Sequence, residues 1–129
     1  MTNNPRIVVG VDGSPLALHA LAFAVEEARL RHARLQVIYA YATTDTGAEG
    51  QSFLEGIRAE APVTDAVDVE WLALAGNPAE VLIEASRDAA LLIIGPRGGG
   101  GFLGLIMGSV AAQCVHHSHC PVLIVRDDQ

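Results

Sequence analysis

A glycine-rich segment between residues 95 and 109 carries the clearest chemical signal in the chain. Gly95, Gly98, Gly108 and Ser109 follow the spacing G-x2-G-x9-G-S. Glycine lets backbone NH groups approach an anion closely, and a helix that starts at Gly108 adds the positive end of its dipole. The pattern predicts a phosphate-binding loop.

Other interpretations of this segment fit less well. A P-loop needs a lysine at the terminal phosphates, and all eight basic residues here are arginine. Gly99, Gly101 and Gly104 satisfy GxGxxG, but that fingerprint belongs after the first strand, with an acid about 20 residues later. Here the motif follows the fourth predicted strand, and the next acid is Asp127. A purely structural role is less favoured, because ordering a long glycine loop without a ligand costs conformational entropy.

A second group of reactive residue types lies near the C-terminus: Cys114, His116, His117, His119 and Cys120. A zinc site is the less favoured interpretation, because four ligands must converge tetrahedrally and Cys114 falls on the apolar side of a predicted helix. The two cysteines are too few for a disulfide framework and suit a reducing compartment. We find no Ser-His-Asp set and no carboxylate pair that would indicate hydrolysis.

The hydrophobic pattern alternates strands with helices and predicts one domain over residues 1–129. Strands are predicted at 6–12, 35–42, 67–74, 89–94 and 121–125. Helices are predicted after the caps Ser14 and Asn77, over 51–61 following a polar loop at 43–50, and from Gly108. This βαβαβαβαβ order is typical of a parallel sheet covered on both faces, with ligands bound beyond the carboxyl ends of the strands.

The third strand has a distinct pattern, because Val67, Val69 and Trp71 alternate with Asp68 and Glu70. Alternation of this kind indicates a strand with one wet face. We expect it at an edge of the sheet.

The sequence resembles the ATP-binding branch of the universal stress protein family. The resemblance covers nearly the whole chain, through IVVGVDGS, GNPAEVLIEA, LLIIGPRG, GSVAAQCV and CPVLIV. It implies a flavodoxin-like or Rossmann-like three-layer α/β sandwich with five parallel strands in the order 3-2-1-4-5.

The resemblance also implies roles for nine residues in binding ATP, ADP or AMP. Asp12 would hold the adenine and ribose end, with Val11 and Ala40 lining the base and Gly95 near the ribose. The remaining residues would surround the phosphates, accompanied by Mg²⁺ or Mn²⁺ bound largely through phosphate oxygens and water: Arg97, Gly98, Gly108, Ser109 and Val110. Pro96 stands where the family often has serine, which removes a hydroxyl and an NH group from the loop.

Charge and composition limit the possible partners. The net charge of −7 argues against binding nucleic acid, since the arginines are scattered among 15 acids and only residues 29–34 are dense. The uncharged stretch 98–125 is too rich in glycine and histidine for a membrane span. The N-terminal residues have no signal-peptide pattern, so we expect a cytoplasmic protein.

We therefore expect an ATP-binding stress sensor or regulator rather than an enzyme. The alternatives are a slow ATPase or nucleotide-transferring enzyme of the same superfamily, and a nucleotide-independent dimerisation module. We also expect a homodimer through the fifth strand. Val122, Leu123, Ile124 and Val125 form an apolar run at a sheet edge, which invites pairing with a second copy.

Overall fold

A five-stranded parallel sheet forms the centre of the molecule. The structure is a computed structural model that describes residues 5–61, 65–96 and 107–126. Its strands are β1 (Arg6–Val11), β2 (Arg34–Tyr41), β3 (Val69–Ala75), β4 (Leu91–Ile94) and β5 (Val122–Ile124). They lie in the order β3-β2-β1-β4-β5, with every neighbouring pair parallel. The predicted fold and strand order are confirmed.

Four helices in the described ranges connect these strands. They are α1 (Pro15–Arg31), α2 (Gly47–Glu60), α3 (Pro78–Ala85) and α4 (Ser109–His117). The predicted caps are confirmed, since Ser14 accepts a hydrogen bond from the Ala17 NH and Asn77 accepts one from the Glu80 NH. None of these helices combines the length and apolarity that a membrane crossing requires.

The helices pack in pairs on opposite faces of the sheet. Helices α1 and α2 cover the face to which Ile7, Val9 and Val37 point. Helices α3 and α4 cover the other face, where Val8 and Leu92 lie in a second buried cluster. This division follows from right-handed crossovers, because the chain moves one way from β1 to β3 and then returns across β1 to form β4 and β5.

The predicted start of the second helix is wrong. Residues 47–50, taken as part of a polar loop, form the first turn of α2. Thr46 caps this turn with a complete capping box: its hydroxyl accepts from the Glu49 NH, and the Glu49 carboxylate accepts from the Thr46 NH. Gly50 also has a packing role, because a Cβ there would collide with the Tyr41 ring.

The third strand lies at a sheet edge, as predicted, but less of one face is exposed to solvent than its sequence indicated. The strand begins at Val69 rather than at residue 67. Glu70 is exposed, whereas Leu72 and Leu74, which follow it on the same face, are half-buried against the second cluster. The alternation of polar and apolar residues therefore ends at Glu70, the second residue of the strand.

The fifth strand is the other edge, and it is short. Only Val122–Ile124 pair with β4, and their side chains are half-buried rather than exposed. Leu123 packs on the first cluster, while Val122 and Ile124 pack on the second. What β5 exposes at this edge is therefore its backbone rather than its side chains.

Candidate functional site

A cavity lies beyond the carboxyl ends of β1, β2 and β4, where the chain leaves β1 on one face and returns to β4 on the other. Its volume is about 120 Å³. Its lining comprises Gly10, Val11, Asp12, Ala17, Ile38, Ala40, Pro78, Leu82, Ile94, Gly95, Val110 and Ala111. This is the switch point at which parallel α/β sheets bind ligands.

The end of β1 supplies the carboxylate at the cavity. Asp12 is exposed, and its Oδ1 accepts a hydrogen bond from the Ser14 NH at 2.9 Å. Gly13 between them has a φ of +82°, a conformation that L side chains rarely adopt. This tight turn holds the Asp12 carboxylate at the mouth of the cavity while Val11 stays buried below it.

The walls of the cavity are apolar and closely packed. Ile38 and Ala40 are two residues apart on β2, so they face the same side of the sheet. Leu82 of α3 lies against β1 at Gly10, where a Cβ would approach the Leu82 Cδ1 to 2.6 Å. Such walls suit a flat apolar group.

The start of α4 forms the polar end of the site. Gly108 occupies the N-cap, and no side chain among the described residues caps this helix. The Gly108 NH donates to the Pro96 carbonyl at 2.7 Å, which joins the two ends of the segment between them. The first NH groups of a helix have no partner within it, so the start of α4 offers donors to an anion.

Seven of the nine predicted site residues lie in the described ranges. Five of them line the cavity: Val11, Asp12, Ala40, Gly95 and Val110. Gly108 and Ser109 immediately precede Val110 at the start of α4. Arg97 and Gly98 lie outside the described residues.

Sequence reasoning missed several lining residues, two of which could have been found. Ile38 precedes Ala40 by two residues, so strand alternation places it on the same wall. Gly10, in the middle of a predicted strand, is a recognised signal of close backbone approach. Pro78 and Leu82 come from α3, and only the tertiary fold brings them to the cavity.

The two ends of the site differ in charge. The Asp12 carboxylate lies at the β1 end, and the start of α4 offers NH donors at the other end. Phosphates are repelled by the carboxylate and attracted by the donors, so a ligand that carries hydroxyls and phosphates would be oriented with its hydroxyls toward Asp12. Tyr39 lies on the other face of the sheet, where burial raises the pKa of its hydroxyl and the carboxylates of Asp45 and Asp12 raise it further.

The segment with cysteines and histidines does not form a metal site within the described ranges, where no three His, Cys, Asp or Glu side chains converge. Cys114 is fully buried in the second cluster, as its position on the apolar side of the helix indicated. Burial, with a smaller contribution from Cys120, raises the pKa of the Cys114 thiol to about 11. Cys114 is therefore a core residue rather than a reactive thiol.

A parallel α/β domain with a cavity at its switch point and an uncapped helix beside it defines a class of small-ligand-binding folds. Residues 3–126 match the universal stress protein family, and the chain belongs to that family.

Two solved structures are similar over nearly the full length. A universal stress protein in complex with cAMP is 31% identical with a TM-score of 0.77, and the match covers 97% of this chain and 98% of that one. The universal stress protein from Archaeoglobus fulgidus in complex with dAMP is 28% identical with a TM-score of 0.66, covering 96% and 98%.

Curated relatives are longer than this chain. A universal stress protein of Mycobacterium tuberculosis strain H37Rv is 32% identical over 129 residues, covering 93% of this chain and 47% of the relative. The chain thus spans about half the length of the curated relatives that it matches.

Proposed function

We propose that this chain binds an adenine nucleotide, ATP or its products ADP and AMP, in the cavity at the switch point. The observation that carries the proposal is the position of the apolar cavity directly beside the uncapped start of α4. A purine ring needs apolar walls, and a phosphate chain needs unpaired donors. The cAMP and dAMP ligands of the two similar structures support an adenine nucleotide.

In this proposal the nucleotide lies across the cavity from β1 to α4. The base contacts Val11 and Ala40, and the Asp12 carboxylate accepts hydrogen bonds from ribose hydroxyls near Gly95. The phosphates lie at Gly108, Ser109 and Val110 and extend toward Arg97 and Gly98. The cavity of about 120 Å³ is smaller than the 300–1,000 Å³ of a typical site for a drug-sized ligand. It therefore suits the base, with the phosphates outside it.

A divalent cation, Mg²⁺ or Mn²⁺, fits this arrangement only as a companion of the phosphates. Asp12 is the one carboxylate that lines the described cavity. Magnesium commonly binds through one or two carboxylates together with substrate phosphates and water. The protein would thus supply at most a single ligand, and the nucleotide would supply the others.

We infer a regulatory role rather than rapid turnover. Phosphoryl transfer needs a placed metal, a base that orients the nucleophile and a cation at the transferred group. Of these groups, the lining of the described cavity supplies only the Asp12 carboxylate. The arginine closest in sequence to a lining residue is Arg97, two positions after Gly95. We expect a nucleotide-dependent stress regulator with hydrolysis far slower than about 1 per second, the low end for ordinary enzymes.

The expected homodimer would form through the backbone of β5. Pro121 O accepts from Leu92 N, and Val125 N donates to Ile94 O, so these alternate residues face β4. The NH and C=O groups of Val122 and Ile124 point the other way, toward the open edge. Two copies could pair antiparallel there about a two-fold axis, and light scattering should show a dimer that Ile124→Pro weakens.

We also propose a cytoplasmic location without a nucleic-acid partner. Both cysteines are free thiols, which suits a reducing compartment. In the dense arginine stretch, Arg29 pairs with Glu26 and Arg31 pairs with Glu27, so their charges are partly neutralised.

Calorimetry with ATP tests the nucleotide proposal. Gly108 has a φ of −68°, which any residue can adopt, so Gly108→Val should fold normally. Its branched side chain would lie where the phosphates approach, and we expect an affinity loss of about 100-fold, or about 2.7 kcal/mol. Ser52→Ala, a change at an exposed site on α2, is the control and should bind as the wild type does. Equal binding by folded Gly108→Val would place the phosphates elsewhere.

A further inference from the structure

A second concave surface lies on the opposite face of the sheet, between α1 and α2. We call it the Phe53 groove. Its volume is about 730 Å³, and its lining comprises Gly13, Leu18, Ala48, Glu49, Ser52, Phe53, Gly56, Ile57 and Glu60. Seven of these residues lie on α2 at spacings of one, three, one, three, one and three from residue 48 to residue 60, which places them in one stripe along the helix.

The exposed aromatic ring at the centre of this groove is held in place from behind. Phe53 is 48% exposed. Its ring packs on Tyr39 with centroids 4.7 Å apart, and its Cζ lies 2.9 Å from where a Cβ on Gly13 would be. A large apolar group that is fixed before binding loses little conformational freedom when a partner covers it, as interface anchors require.

Gly56 is a helical glycine whose Cβ would meet nothing within 4 Å among the described residues. Glycine destabilises a helix interior relative to alanine, so its presence normally has a packing reason. Gly50, in the same helix, has such a reason within the chain, because a Cβ there would collide with Tyr41. Gly56 faces the groove instead, and the missing side chain leaves room for the close approach of another molecule.

The charge of the groove selects the chemistry of its occupant. Glu49 and Glu60 lie toward the two ends, eleven residues apart, which is roughly 16 Å along a helix. The described lining contains no basic side chain, and the chain as a whole carries a net charge of −7. An occupant with positive charge near both ends is therefore complementary.

We propose that the Phe53 groove is the docking site for a helical segment of a partner protein, about three turns long. The segment presents an apolar residue to Phe53 and carries arginine or lysine near each end, opposite Glu49 and Glu60. This is the helix-in-groove mode of recognition, in which apolar anchors recur at spacings of three and four residues.

The groove and the cavity on the other face are connected through the tight turn at the end of β1. Gly13, which Phe53 contacts, follows Asp12 in the tight turn at the end of β1. A nucleotide that contacts Asp12 should therefore alter the groove and the affinity for the partner segment. This coupling rests on the proposed function, whereas the docking site itself does not.

The test uses the full chain and three synthetic 14-residue helical peptides in an alanine host. The first carries two leucines four positions apart and two arginines at each end; the second has glutamates in place of the arginines; the third has serines in place of the leucines. Binding is followed by fluorescence polarisation of labelled peptide, with NMR shifts to locate it.

We expect the first peptide alone to bind and to shift the signals of Gly13, Phe53 and Ile57. Phe53→Ser should weaken it by about tenfold or more, while Phe23→Ser, at a phenylalanine of similar exposure outside the groove, should not. Glu49→Gln keeps the capping box, since glutamine serves at that position, and together with Glu60→Gln should weaken binding about tenfold. Gly56→Leu favours the helix and fills the groove, so it should abolish binding.

Several results would overturn the docking site: no binding of the arginine peptide, equal binding of the glutamate peptide, or equal losses for Phe53→Ser and Phe23→Ser. A dimer that Phe53→Ser dissociates would assign the groove to a second copy instead. An ATP titration separates the remaining claims. If ATP binds without changing peptide affinity by about fivefold or more, the coupling is wrong; if only the peptide binds, the nucleotide proposal fails and the docking site stands.

Discussion

The described helices start in two different ways at the carboxyl edge of the sheet. The first three begin with side-chain caps, Ser14, Thr46 and Asn77, whose oxygens each accept a backbone NH. The fourth begins with Gly108, which makes no side-chain cap. The same edge of the sheet thus presents three satisfied helix starts and one open start.

The difference shows where this fold exchanges stability for binding. A side-chain cap is worth about 1 kcal/mol to a helix, and glycine at the N-cap falls short of asparagine by only a few tenths. The chain gives up this small gain at α4, beside the cavity, and nowhere else among the described helices. An external anion is the expected partner for the open NH groups.

Among changes to the helix starts that test this contrast, adding a cap to α4 should have the largest effect. In Gly108→Asn the side-chain oxygen can accept from the NH of Val110 or Ala111, which are the groups that the phosphates are proposed to use. We expect ATP affinity to fall about tenfold, or about 1.4 kcal/mol, while the unliganded protein gains a few tenths of a kcal/mol in stability. Calorimetry and urea denaturation measure the two changes.

The opposite signs of these two changes make the test sharp. A variant that merely disturbs the fold would lose both affinity and stability. If Gly108→Asn binds ATP as tightly as the wild type while it remains stable, the open helix start has no part in binding. The contrast with the capped helices would then be without functional meaning.

Removing a cap from α2 should have a smaller effect and the opposite distribution. Thr46→Ala removes the hydroxyl that accepts from the Glu49 NH at 3.1 Å, whereas the backbone NH of residue 46 can still donate to the Glu49 carboxylate at 2.7 Å. We expect a loss of about 1 kcal/mol in the free energy of unfolding and unchanged ATP affinity. A fall in ATP affinity comparable to that of Gly108→Asn would show that the helix starts do not act independently.

The parts of the fold that local chemistry determines could be predicted from the sequence. Strand β1 followed by Ser14 and Pro15 combines a buried strand, a cap and a favoured first helical residue, and the structure has all three. The order of alternating elements was sufficient to predict a parallel sheet. The positions of Val11 and Asp12 at the cavity follow from the strand end at the switch point, whereas the position of Ala40 was implied by the family resemblance.

The parts that depend on distant contacts could not be predicted in the same way. Gly47 and Gly50 have low helix propensity, yet both lie in the first turn of α2, and a side chain at Gly50 would collide with the Tyr41 ring. The capping sequence from Thr46 to Glu49 is the local signal that could have placed the start of this helix. The contact between Gly10 and Leu82 joins β1 to α3 across the fold, and no local pattern reveals which helix will cover that strand.

The smallest effect should come from the side chain next to the open helix start. Ser109 is exposed at the first position of α4, and its hydroxyl is one donor beside several backbone NH groups. If the backbone provides most of the binding, Ser109→Ala should weaken ATP binding only about threefold, or about 0.6 kcal/mol, the value of an ordinary hydrogen bond. Stability should stay within about 0.5 kcal/mol, because the site is exposed and alanine is a good helix former. Calorimetry at constant salt measures the change, with Ser52→Ala as the matched loss of a hydroxyl on α2. A loss of about 100-fold or more would mean that the hydroxyl, rather than the uncapped backbone, holds the phosphates, and Gly108 would then be an N-cap of no special consequence.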